Sequence, residues 1–133
     1  MNHLGEDKVY EQIGEEGFER LTGAFYRRVE TDDILGPMYQ HARTETGEPD
    51  MEGARVRLRD FLVQRFGGPT RYSEARGHPR LRMRHMPFAI DEAARDRWLE
   101  LMDESLDEVG TPEPSRTLLR GVFAHVADFM RNR

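Results

Sequence analysis

The chain has 133 residues, of which 37% are apolar, 34% charged and none cysteine, and its formal net charge is −5. One domain spanning residues 1–133 can bury a core at this length without covalent staples, and the lack of cysteine excludes a disulfide scaffold, a thiol nucleophile, a Cys-ligated metal centre and a C-x-x-C-H attachment motif. The acidic balance argues against general nucleic-acid binding, and with neither a long apolar run nor an apolar N-terminal core the expected setting is the cytoplasm, away from membrane.

The apolar period is helical almost throughout. Phe18, Leu21, Phe25, Tyr26 and Val29 share one helix face and predict a helix over residues 15–30. Asp32, Asp33, Gly36 and Pro37 break it, and polar residues 40–50, with Gly47 and Pro49, read as a loop. Met51, Ala54, Leu58, Phe61, Leu62 and Phe66 form the next amphipathic face, stopped by Gly67-Gly68-Pro69. Residues 70–79 read as turns. A short helix is predicted near residues 80–85, because Pro87 disfavours helical geometry at Met86. Asp91 is a plausible N-cap for a helix carrying Trp98, Met102, Leu106 and Val109, which Gly110 ends. Thr111-Pro112 reads as N-cap and first residue of the last helix, with Leu119, Val122, Phe123, Val126 and Met130 inward. The fold class is all-α.

Chemistry concentrates in few places. Basic residues are arginine except Lys8, and residues 75–90 hold Arg76, Arg80, Arg82 and Arg84 with no acidic residue. That segment is either a solvated loop or an anion site, since arginine presents a planar fork of donors. His85 lies in it beside Met83, Met86 and Phe88. A neutral imidazole there suits an axial ligand to haem iron, with arginines for the propionates; the alternative is a surface histidine in a basic turn. Tyr26, Tyr39 and Trp98 carry polar atoms on apolar faces, which need partners from the core or from a ligand. The acidic runs at residues 15–16 and 104–108 read as solvated faces. No phosphate-binding glycine loop, zinc-protease motif or serine-nucleophile elbow occurs.

These residues resemble a known family. Gly67-Gly68-Pro69, Tyr72-Ser73-Glu74, the run from Arg76 to His85, Pro87-Phe88 and Arg95-Asp96-Arg97-Trp98-Leu99 look like the group II truncated haemoglobins. Phe25-Tyr26, Leu35 and Pro37-Met38-Tyr39 fit the same pattern. The resemblance implies a truncated globin, a two-over-two helical sandwich around non-covalent haem b. It implies His85 as the iron ligand, with Tyr26, Tyr39 and Trp98 as distal polar residues. Ala54 and Leu58 would face the ligand, and Leu58, Phe61 and Leu62 would wall the haem. Arg57, Arg84 and Tyr72 would meet the propionates, and Met83 and Phe88 would pack the proximal side.

Three departures from the pattern stand out. Gly14 is followed by Glu15 where the family usually has paired glycines, Phe66 stands where many members carry Trp, and the loop at residues 40–50 is longer than usual. That loop brings His41 near Tyr39 as a conceivable sixth ligand.

The function implied is reversible binding of O2, CO and NO. The alternative is a haem enzyme, peroxidase-like or NO-oxidising, fed by an external reductase. A homodimer is a conceivable assembly, and an acidic partner for the arginine segment is the reading if no haem binds.

Overall fold

The computed structural model describes residues 5–39, 51–77 and 90–133. Among these, a 3-10 turn at Glu6–Lys8 leads into α1 (Val9–Glu30), α2 (Leu35–Tyr39), α3 (Met51–Arg65), α4 (Arg71–Arg76), α5 (Glu92–Val109) and α6 (Ser115–Met130). No strand occurs among the described residues, and no helix there is long and apolar enough to cross a membrane.

The periodicity predicts α1 well. Phe18, Leu21, Phe25 and Val29 are fully buried, and Tyr26 is 8% exposed. The helix begins earlier than expected, at Val9, with a break at Gly14 (φ 69°, ψ 177°). A left-handed φ costs glycine little and other residues more, so the unpaired glycine still turns the corner by itself.

Helix α1 is the central element, packing on α3 to one side and α5 to the other; α5 in turn packs on α6, and α3 on α4. Aromatic rings knit these contacts. Tyr10 and Phe66 stack on either side of Phe18, with centroids 6.3 and 6.0 Å away. On α3 only part of the expected face is buried. Ala54 and Leu62 are covered, joined by Val63, and Phe66 is buried just past the helix, whereas Met51, Leu58 and Phe61 are half-buried.

Gly67 does more than stop α3. Its φ is +100°, and a Cβ there would lie 1.8 Å from the Asp7 carbonyl oxygen. The N-terminal segment therefore crosses directly over the α3 terminus, and the Tyr10 N–H donates to the Phe66 carbonyl at 3.0 Å.

Two local expectations are corrected. Residues 71–76 are helical instead of turns, because the Gln64 side chain serves the first turn. Its Oε1 accepts the Ser73 N–H (2.9 Å) and its Nε2 donates to Ser73 Oγ (2.6 Å). The last helix starts at Ser115, later than Thr111-Pro112 suggests. Gln12 Oε1, from α1, accepts the Ser115 N–H at 3.1 Å, and Gln12 Nε2 donates to the Glu113 carbonyl at 3.0 Å. In both cases a glutamine outside the helix, nine residues away for Gln64 and 103 for Gln12, supplies the partner that a local cap otherwise provides. Asp91 caps α5 as expected, accepting the Ala94 N–H at 2.9 Å, and Gly110 ends it in the left-handed region.

The acidic runs are not merely solvated. Glu108 pairs with Arg27 and Arg28, Glu104 with Arg28, and Glu15 with Arg71, tying facing helices together.

Candidate functional site

Helix α3 packs on α1 and carries Ala54, Leu58, Phe61 and Leu62 at the spacing of one apolar face. Ala54 and Leu62 are buried, while Leu58 and Phe61 pack against the core but remain half-open.

Tyr26, beside Phe25 in the chain, and Trp98, on another helix, both contact the Phe25 ring. Phe25 on α1 meets Tyr26 edge-on at 5.3 Å, and the same Phe25 meets Trp98 on α5 at 5.3 Å and 64°. Phe123 of α6 contacts the indole at 5.6 Å and 80°. Trp98 is thus held between two T-shaped ring contacts, a favoured aromatic geometry, and is half-buried. The indole and the Tyr26 phenol are neutral donors in an apolar wall.

Where α3 approaches α4 the lining turns polar. Glu52, Gly53, Val56, Arg57, Asp60, Tyr72 and Ala75 line a cleft of about 450 Å³. Tyr72 is 6% exposed and meets Phe61 edge-on at 5.7 Å, so it stands at the junction between the apolar wall and the charged mouth. The two acids of the cleft are committed to arginines. Asp60 Oδ1 accepts from Arg59 Nε at 3.0 Å, and Arg55 bonds Glu52, holding its carboxyl below the usual range. An anionic group entering the mouth meets paired carboxylates and the guanidinium of Arg57.

The residues present fit haem: a flat apolar ring suits the α3 wall, and Arg57 and Tyr72 in the cleft would hold carboxylate tails while Glu52 and Asp60 are paired to Arg55 and Arg59. Of the predicted site residues, the structure brings Arg57 and Tyr72 to one cleft, with Phe61 against Tyr72, and brings Tyr26 and Trp98 each against Phe25; Ala54, Leu58 and Leu62 lie on the α3 face. Tyr39 closes α2, with its side chain outside what is described. Met83, Arg84, His85 and Phe88, the predicted helix at residues 80–85, and the loop with His41 lie outside the described residues. Glu52, Gly53, Val56, Asp60 and Ala75 line the cleft without having been singled out; the i−4 and i+3 spacing from Arg57 is the signal that finds Gly53 and Asp60.

The model of the family described as Bacterial-like globin matches residues 8–132. The chain belongs to the bacterial-like globins. It is 38% identical over 124 residues to the group 2 truncated haemoglobin YjbI of Bacillus subtilis (strain 168), covering 93% of this chain and 88% of that protein. It is similar to the crystal structure of a haemoglobin from Chloroflexus aurantiacus, at 48% identity and a TM-score of 0.85, over 94% of this chain and 98% of that one. A truncated oxygen-avid haemoglobin from Bacillus subtilis superposes with a TM-score of 0.81 at 38% identity, over 93% of this chain and 98% of that one. The expected family, the group II truncated haemoglobins, and its two-over-two helical fold are thereby shown. Membership of this globin family implies haem iron as cofactor and diatomic molecules such as O2 as ligands.

Proposed function

We propose that this globin binds O2 reversibly on haem b, with His85 as the proximal ligand and Tyr26, Tyr39 and Trp98 governing the distal side. When bound, the haem supplies a ferrous iron that takes a diatomic ligand in its open position. The observation that supports the reading is that Tyr26 and Trp98 both contact the Phe25 ring, with Phe123 also against the indole. A ligand that gains negative charge on its outer atom is stabilised by donors such as Tyr26 and Trp98 carry. Ala54 has no polar atom and little bulk, so on the α3 side hydrogen bonding to the ligand falls to other residues. Leu58, Phe61 and Leu62 exclude water from the ring face. Arg57, Arg84 and Tyr72 hold the propionates, and Met83 and Phe88 pack the proximal side. The oxygen avidity of the Bacillus subtilis relative agrees with a donor-rich distal side.

The test is an absorption spectrum of the protein as isolated, after dithionite and under CO, for wild type and His85→Ala. A strong Soret band that shifts with CO in the wild type, and loose or lost haem in the variant, is the expected result. Stoichiometric haem with an unchanged proximal iron–nitrogen stretch in His85→Ala would remove His85 from the site. A ferrous low-spin spectrum resistant to CO would instead identify an internal sixth ligand, His41 first.

A further inference from the structure

Asp32 lies in the corner between α1 and α2, and its side chain is only 2% exposed. A carboxylate so little hydrated is costly unless every lone pair is used. One oxygen, Oδ2, accepts the N–H groups of Ile34 (3.1 Å) and Leu35 (2.9 Å), the orphan donors at the start of α2. The other, Oδ1, accepts from Arg97 Nε at 2.6 Å, across to α5. A helix cap needs one oxygen and leaves the other to water; here the second reaches a residue 65 positions on. Arg97 is itself held at its far end, where Nη1 donates to Glu100 Oε1 at 2.8 Å.

Two placements give this pair its consequence. Arg97 directly precedes Trp98, so its guanidinium is anchored on the same turn of α5 that carries the indole between Phe25 and Phe123. On the other side, α2 has no slack. The Gly36 N–H donates to the Asp32 carbonyl at 3.0 Å, and a Cβ on Gly36 would stand 3.1 Å from the Val29 carbonyl oxygen. Tyr39 closes that same helix.

We infer that Asp32 and Arg97 are positioning residues for the distal site, one buried carboxylate registering α2 and its Tyr39 against α5 and its Trp98. The inference rests on the distal role of Trp98 proposed above, and its test separates the two.

Trp98 is the only tryptophan of the chain, so the CO-bound ferrous protein gives a single indole N–H resonance. Two variants probe the pair. Asp32→Asn keeps a capping oxygen and removes the charge facing Arg97; Arg97→Met keeps the stem and removes the donor. Both are expected to move the indole resonance, to shift or split the C–O stretching band, and to speed O2 release about 2- to 12-fold, as for one lost neutral hydrogen bond. Arg97→Lys restores part of each signal, and the Asp32→Asn/Arg97→Met double variant shows no more than the larger single effect. An indole resonance unmoved in both single variants overturns the inference, whatever the rates do. If Asp32→Asn does not fold, Arg97→Met alone decides by the same criterion. A Trp98→Phe protein with unchanged C–O band and O2 release sinks the ligand role of Trp98 instead, while the indole resonance of the other variants still reports whether the pair aims it.

Discussion

Tyr26 and Trp98 differ from the surrounding core in one atom each, a phenol oxygen and an indole nitrogen. A neutral hydrogen bond contributes about 0.5–1.5 kcal/mol net. Tyr26→Phe or Trp98→Phe should therefore raise the O2 dissociation rate about 2- to 12-fold in stopped-flow measurements, with haem content unchanged. Unaltered rates in both variants would refute the distal account. Glycine positions separate strain from collision at the same scale. Gly67 and Gly110 both have positive φ, but a Cβ on Gly110 meets nothing within 4 Å, whereas on Gly67 it strikes the Asp7 backbone. Gly110→Ala should cost about 1–2 kcal/mol, the left-handed penalty alone. Gly67→Ala should cost more than about 3 kcal/mol, in the tail of single-substitution effects. Urea unfolding of the two CO-bound variants checks the order.

Helices here are joined by two kinds of contact of unequal weight. The ion pairs between α1 and α3 (Glu19 with Arg55 and Arg59) and between α1 and α5 (Glu108 with Arg27 and Arg28) are half-open to water. Pairs of that kind contribute about 0–1 kcal/mol, so register between these helices rests on buried Phe18 and Leu21 of α1, Leu62 and Val63 of α3, and Met102 and Leu106 of α5. The Asp32–Arg97 pair is the exception, because its carboxylate is out of solvent. Burial alone would raise the Asp32 pKa, but the Leu35 N–H, the Arg97 guanidinium and the Ile34 N–H together hold it below the ordinary 3.8. A depressed native pKa stabilises the fold above the ordinary value, and that stability is lost as pH falls through it toward the native value. As pH falls below the ordinary 3.8, the urea midpoint of the wild type should fall more steeply than that of Asp32→Asn. Parallel profiles would show that Asp32 titrates alike in both states.

At the scale of the whole molecule, haem is a structural component as well as a chemical one. The half-open Leu58 and Phe61 are apolar surface that a flat ring would cover. A ligand that binds only the folded chain stabilises it by mass action, about 4 kcal/mol when its free concentration is a thousand times its Kd. The apoprotein should therefore unfold at a lower temperature than the holoprotein, and added haem should restore the midpoint along with the Soret band. Equal melting temperatures would mean that the pocket is closed without the cofactor.

The amino-acid sequence by itself determined the helical class, the inward faces of α1, α5 and α6, the Asp91 cap and the Gly110 stop. All of these follow from a 3.6-residue period or from backbone preferences of single residues, which act within one or two turns. It also carried the family, through an ordered set of motifs along most of the chain. Only the tertiary structure decided the start of α6, the existence of α4, the pairing of the acidic runs and the second duty of Asp32. Most partners responsible are far apart in the chain, 103 residues for Gln12 and Ser115 and 65 for Asp32 and Arg97, while Gln64 reaches Ser73 across nine residues and a glycine turn. A hydrogen bond over such a separation leaves no periodic trace, because its partner is chosen by how the helices pack and not by what lies next in the chain.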